Sequence, residues 1–496
     1  MTLTSMLIGV GIVAFIITLA IYFLKGEIKN WLISYLQNFT GVLFIFSGLV
    51  KAVDPLGTAY KMQDYFGEFE ATFSGTSFSF IAPMFPWFSE HSVGISVFMI
   101  VLEIVLGVML IIGAMKKFTA WTFLLLVIFF LILTGFTYLT GYVPEGVNFF
   151  QFMQWGPWVE TNMKVTDCGC FGDFIKLKPF TSFLKDVGLM FPAILFVFTT
   201  KSMHQLWSKG TRAIVSIATL VGLTFYCISN YVWDIPDVDF RPFKEGVNIA
   251  ERKVQEEEAA GNVKVTHYEM TNKNTGEFVK LPFDQYMKEF KNYPKEEWDL
   301  VQIKSTPEIE ATKISDFALE DMNANEAQDD LLAIEDYNFL IVAYKLYGTR
   351  SSRTVTVNDT TFVQDTIMVV GDTLEPPKIV TSIDTIVKRQ VVEPVFIWDE
   401  DYLKHWTGTV NPVMKAAIEA GYKVNVATAY LGPEGIKAFQ EASGCEFPFY
   451  QGDDIMLKTI IRSNPGILLM KNGTIIKKWH YKKLPHFEKI QEDYFK

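Results

Sequence analysis

Hydrophobic and polar positions divide the chain into two halves with different rules. Over the first 230 residues, long apolar runs alternate with short polar breaks. Six runs reach the roughly 20 residues that a helix needs to cross a bilayer. They fall near 5–24, 32–53, 92–113, 118–140, 184–200 and 211–231, the fifth being the shortest. The first has neither a basic leader nor a small-residue cleavage site, so it reads as a retained helix.

Beyond residue 231 the pattern becomes that of a water-soluble domain. Residues 251–260 (ERKVQEEEAA) read as a short solvated helix and 263–269 as a strand, while 271–308 show no clear period. From about 309 strands and helices alternate. Phe339–Leu346 and Val424–Leu431 are continuous apolar runs of the buried-strand type. Residues 411–421 and 433–443 read as helices, the second opened by Pro433 in the favoured first turn. Gly466–Met470 and Thr474–His480 flank Lys471-Asn472-Gly473 as a hairpin. Residues 353–393 depart from this order. Their period-two, β-branched pattern predicts an inserted β-arm that contacts a partner or packs on its own domain. The predicted architecture is a membrane α-helical bundle followed by a soluble α/β domain.

Composition sharpens the division. Half of the 496 residues are hydrophobic, only 20% are charged, and Phe alone contributes 43. A net charge of −11 argues against a nucleic-acid partner, which would need a basic face. The breaks after the first, third and fifth spans hold Lys25 and Lys29, then Lys116 and Lys117, then Lys201, Lys209 and Arg212. Positive charge marks these as cytoplasmic. The loops 54–91 and 141–183 and the whole C-terminal half then lie outside, which in a bacterial inner membrane is the oxidising periplasm. Trp87, Trp155 and Trp158 in those loops suit interfacial anchoring.

Four cysteines are present, and two stand in Asp167-Cys168-Gly169-Cys170-Phe171-Gly172. Thiols one residue apart can close a small strained ring that is easily reduced, and Gly169 eases the bend. Asp167 and Asp173 push the thiol pKa values up, whereas Lys164 and Lys176 push them down. The spacing suits redox exchange, with one cysteine attacking and the other resolving, but also a fixed structural loop. A metal site wants three or four ligands, and no His stands beside the pair. Cys227, near the outer end of the sixth span, is a candidate relay thiol or a small buried hydrophobe, and Cys445 is read as a buried hydrophobe. Glu103 falls mid-span and is either a functional carboxylate or a neutral helix-packing group. Lys51 ends the second span, where snorkelling accounts for it without a function, and with Glu103 it is also a candidate intramembrane polar site. Gly48 allows close helix approach, and Pro55 stops the helix.

FIFSGLVKAVDPLG, the Glu103 helix and VTDCGCFGDFIKLKPFTSFLKD together resemble the DoxX/MauE group of redox-associated membrane proteins. The likeness is to the long Bacteroidota form, with a four-helix core over about 32–230 and a thioredoxin-like domain over about 309–490. The boundaries that follow are an extra helix over 1–30, the membrane domain over 31–231, a linker over 232–308 and the thioredoxin-like domain over 309–496. The resemblance implies a periplasmic dithiol at Cys168 and Cys170 acting in disulfide formation or electron transfer, with a quinone as an implied carrier. It also implies periplasmic client proteins as partners beside the lipid bilayer. Asn38 stands where such proteins often carry Arg. The thioredoxin-like part lacks Cys-x-x-Cys after FLIVAYKL, which suits client docking more than exchange. Ser463-Asn464-Pro465-Gly466 resembles the thioredoxin loop with a cis-proline, kept for peptide binding or as a relic. The rival reading is a non-catalytic subunit of an envelope complex. Transport through the helices has few polar residues to line a path.

Overall fold

A computed structural model describes residues 2–25, 28–165, 169–367 and 378–495. The first half is helical: α1 Leu3–Lys25, α2 Trp31–Val53, α3 Pro55–Phe73, α4 Met84–Glu90, α5 Ser92–Ile112, α6 Lys116–Thr140, α7 Pro179–Phe198 and α8 Lys209–Ile228. Among the described residues, six helices are long and apolar enough to cross a membrane, which makes the chain a multi-pass membrane protein. All six expected spans are present. The fifth begins five residues early, because Pro179 fits the first helical turn. Residues 54–91 are not an open loop, since α3 and α4 occupy most of them. Asp54 caps α3 by accepting a bond from the Gly57 amide at 3.1 Å, so Pro55 both ends α2 and opens α3.

Helices α2 and α5 pack along a seam of small residues. A Cβ on Gly107 would lie 2.7 Å from the Gly41 carbonyl oxygen, and one on Gly48 would strike Ile104. Asn38 donates to Thr18 Oγ1 at 2.9 Å and pins α1 to α2. The stretch 232–248 after α8 lies along an edge of the soluble sheet. The Gly246 amide donates to the Ile475 carbonyl at 2.7 Å, and the Ile475 amide donates to the Val247 carbonyl at 2.9 Å.

Helix α9 (Ile249–Gly261) is not simply solvated. Glu256 on its inner face is 1% exposed and accepts bonds from Arg252, Thr312 and Ser315. Residues 263–304 form an antiparallel sheet of β1 (Val265–Asn272), β2 (Phe278–Pro282) and β3 (Trp298–Lys304) in the order β2-β1-β3, with α10 (Phe283–Glu289) beside it. Tyr268, Met270, Leu281 and Trp298 make its small core. So few apolar positions leave no strong period in 271–308.

The rest comprises α11 (Gln328–Leu332), β4 (Tyr337–Ala343), β5 (Gly348–Ile367), β6 (Lys378–Trp398), α12 (Glu400–His405), α13 (Asn411–Glu419), β7 (Lys423–Ala429), α14 (Pro433–Ser443), β8 (Phe449–Gly452), α15 (Asp454–Ile460), β9 (Gly466–Lys471), β10 (Thr474–His480) and α16 (Phe487–Tyr494). Five strands build a mixed sheet in the order β10-β9-β4-β7-β8. β4, β7 and β8 run parallel, while β9 is antiparallel to β4 and to β10. Successive residues of β4 fill opposite sides of the sheet: Phe339 and Ile341 enter one core, Leu340 and Val342 the other. β5 and β6 pair only with each other. This arm runs over 348–398, longer than the 353–393 expected, because its base strands continue to the Gly348–Trp398 pair.

Candidate functional site

The polar interior of the membrane half gathers around one cavity. Ser47 and Lys51 lie one helical turn apart on α2 and so share a face. Lys51 is 6% exposed and forms an ion pair with Glu103 of α5, itself 3% exposed. Lys51 is therefore turned inward rather than snorkelling outward. Each charge alone would cost several kcal/mol in an apolar interior, and the pairing offsets that cost. Ser47 Oγ donates to the Cys170 carbonyl oxygen at 2.9 Å, which ties the cysteine loop to the same face.

The cavity encloses about 70 Å³. Lys51, Glu103, Cys170 and Lys185 line it together with aromatic and aliphatic side chains such as Phe44, Phe130 and Met99. Lys51 Nζ lies 5.3 Å from the centre of the Phe130 ring. On α7, Lys185 bonds Asp186 at 2.6 Å, and Thr134 of α6 donates to the other oxygen of Asp186 at 3.0 Å. Two buried amine–carboxylate pairs thus stand beside one apolar space, with Cys170 at its wall.

Outside the helices, the soluble domain is clamped over the same loop. Arg462 Nε donates to both carboxylate oxygens of Asp54, at 3.0 and 2.9 Å. Its guanidinium lies 5.2 Å from the Tyr60 ring centre and 3.9 Å from Asp173, three residues past Cys170. The Tyr60 hydroxyl donates to the Tyr344 hydroxyl at 3.1 Å. Ser463-Asn464-Pro465 follows Arg462, and the Asn464–Pro465 peptide is cis. Asn464 donates to the Lys345 carbonyl at 2.6 Å, so the proline loop sits at the end of β4 on the side turned toward the membrane half. A second cavity of about 210 Å³ lies between the two halves and shares Lys61 and Gly169 with the first. Gly169 has a φ of +60°, a left-handed conformation that its lack of a Cβ permits.

Of the cysteines named from sequence, Cys168 lies outside the described residues. Cys170 is half-buried at the cavity. Cys227 is fully buried in a separate apolar cluster with Ala52, Val97 and Ile104, and does not line the space that Cys170 lines. Cys445 lies in the soluble core, where burial pushes its thiol up to about 12, so it stays protonated and inert. The Lys185–Asp186 pair and the Arg462–Asp54 clamp escaped the sequence reading. Adjacent opposite charges at the head of an apolar run were the available signal for the first. The second joins residues 408 positions apart, and no local pattern marks it. No protein-family model, curated protein or solved structure matches the chain.

Proposed function

We propose that this chain is an inner-membrane, redox-associated protein of the DoxX/MauE kind, exchanging disulfides through Cys168-Gly169-Cys170 on the periplasmic side. In that exchange a client thiolate attacks the loop disulfide, one loop thiolate leaves, and a mixed disulfide forms. The second client thiolate then releases the loop as a dithiol, so two electrons pass from client to loop. The observation that carries this reading is the joining of the cysteine loop to the buried Lys51–Glu103 face through the Ser47–Cys170 bond. Lysines near the loop favour the loop thiolate, the leaving group in that attack.

The soluble part is proposed to be a thioredoxin-like docking module. The parallel β4–β7 pair and the antiparallel β9–β10 hairpin support it. A quinone as electron carrier fits less well. The lysine donors suit its carbonyl oxygens, but the 70 Å³ cavity is smaller than the roughly 150 Å³ that holds a benzene ring. We therefore assign no step to a quinone.

Thiol trapping tests the exchange. In living cells, Cys170→Ala or Cys168→Ala is expected to accumulate a mixed disulfide with a periplasmic protein. If both variants trap nothing and the wild-type pair never changes oxidation state, the alternative stands: a structural subunit of an envelope complex with a fixed loop. The Arg462–Asp54 clamp favours that alternative specifically, since it holds the proline loop on this chain's own membrane half. Impermeant maleimide on intact cells tests the orientation, with labelling of the reduced loop before lysis as the expected result.

A further inference from the structure

The cleft between the two halves runs against the charge of the whole chain. The protein carries a net charge of −11, yet six basic side chains line this one cavity against three carboxylates. The bases are Lys61, Lys176, Arg241, Lys313, Lys458 and Arg462; the acids are Asp54, Asp64 and Asp173. They come from α3, the cysteine loop, the stretch after α8 and the soluble domain, so the cleft exists only when the two halves are docked.

All three acids are already engaged, Asp64 by Lys61 at 3.3 Å. Asp54 and Asp173 face Arg462, and Asp54 also caps α3. The unspent positive charge lies elsewhere. Lys176 makes no ion pair among the described residues, and Lys313 and Lys458 are matched only by Asp316 and Asp454, which do not line the cleft. Arg241 is 2% exposed. Its Nε and Nη2 hold Asp239, but Nη1 has no hydrogen-bond partner among the described residues. A buried guanidinium nitrogen left without a partner is costly. An anion in the cleft would relieve the repulsion among these bases.

We infer that the cleft binds an oxyanion of the phosphate class. Lys176, Lys313 and Lys458 supply the contacts, and Arg241 supplies positive charge from the wall. Lysines act here as point charges on flexible stems, a common phosphate-binding arrangement. The cavity, at about 210 Å³, has room for a phosphate group with water beside it. Because the cleft borders Val50 and Asp54 at the end of α2, the phosphate has two possible sources, an anionic lipid headgroup or the free ion. This inference goes beyond disulfide exchange and stands without it.

The full-length protein, purified in a neutral detergent, tests it with two probes. The first is inorganic phosphate, titrated against potassium chloride at matched ionic strength and read as a shift in melting temperature. The second is reconstitution in nanodiscs of phosphatidylcholine with or without phosphatidylglycerol, read by native mass spectrometry as lipid retained after release. Saturable stabilisation by phosphate alone would identify the free ion, and retention of phosphatidylglycerol but not phosphatidylcholine would identify the headgroup. In either case Lys176→Gln/Lys313→Gln is expected to weaken binding about tenfold, the equivalent of one charge-assisted bond. The exposed Lys209→Gln, outside the cleft, should leave it unchanged. If chloride matches phosphate and both lipids are retained equally, or if the double variant binds as the wild type does, the inference is overturned.

Discussion

The two halves of this molecule solve the burial problem in opposite senses. The helical half turns apolar side chains outward, with Phe98 63% and Phe191 64% exposed, and holds Lys51, Glu103 and Asp186 inside. The soluble half does the reverse, with Phe339, Trp406 and Phe439 fully buried. Its interior charges are each paired: Glu256 meets Arg252, Arg462 meets Asp54, and Asp239 meets Arg241 and Lys478. Burial alone would raise the Asp239 carboxyl, but those two cations outweigh it and hold the group below its ordinary value. The contrast teaches that surface polarity follows the solvent, whereas interior charge follows the partner available. In lipid, a buried charge can be satisfied only from within the protein, as Lys51 does for Glu103 and Lys185 with Thr134 for Asp186.

The largest expected effect comes from breaking that rule in the membrane half. Lys51→Met or Glu103→Leu alone strands a buried charge and should cost about 3–5 kcal/mol. The double variant should recover most of this, because apolar side chains of similar size replace both ions. Denaturation in detergent micelles reads the cycle. Additive single and double losses would mean that the pair is not coupled.

Next in size is the clamp between the halves. Asp54→Ala removes two charge-assisted bonds from Arg462 and should cost about 1.5–3 kcal/mol of docking. Limited proteolysis between residues 232 and 248 should then accelerate, while each half keeps its own fold. Unchanged cleavage would show that the halves are held by other contacts.

A smaller effect belongs to the soluble half alone. Burial, with Lys482 adding to it, pushes His480 down to about 4 from an ordinary 6.5. The unfolded chain therefore binds a proton more readily than the folded one, and stability falls as pH drops from 6.5 toward 4. The loss should be about 1–2 kcal/mol at pH 5. His480→Asn should flatten the dependence of melting temperature on pH in that window. The smallest effect is expected from replacing 353–393 with a short turn. Among the described residues the arm strands pair only with each other, so the stability of the body should change by no more than a surface substitution does, about 0.5 kcal/mol.

The same contrast explains what could be read from the sequence. Length and apolarity marked all six spans, because lipid demands both at once. β4, β7 and the 471–473 hairpin were legible from continuous apolar runs and turn chemistry. Glu103 stood out by type, yet its partner did not, since Lys51 at a helix end looks the same whether it points outward or inward. Of the three-stranded sheet at 265–304 the first strand was legible, but the other two were missed because the sheet rests on four buried side chains. The cleft between the halves was invisible for a different reason. Its bases are scattered from Lys61 to Arg462, and only the docked fold collects them.

The stretch after α8 has a mechanical consequence. Its Gly246 and Val247 join the sheet at Ile475 on the outermost strand, with only the stretch from Asp234 between them and the last span. Any tension between a captured protein and the membrane anchor would therefore load that edge strand first. It would unzip Val247 from Ile475 one bond at a time, well before the central strands felt the force.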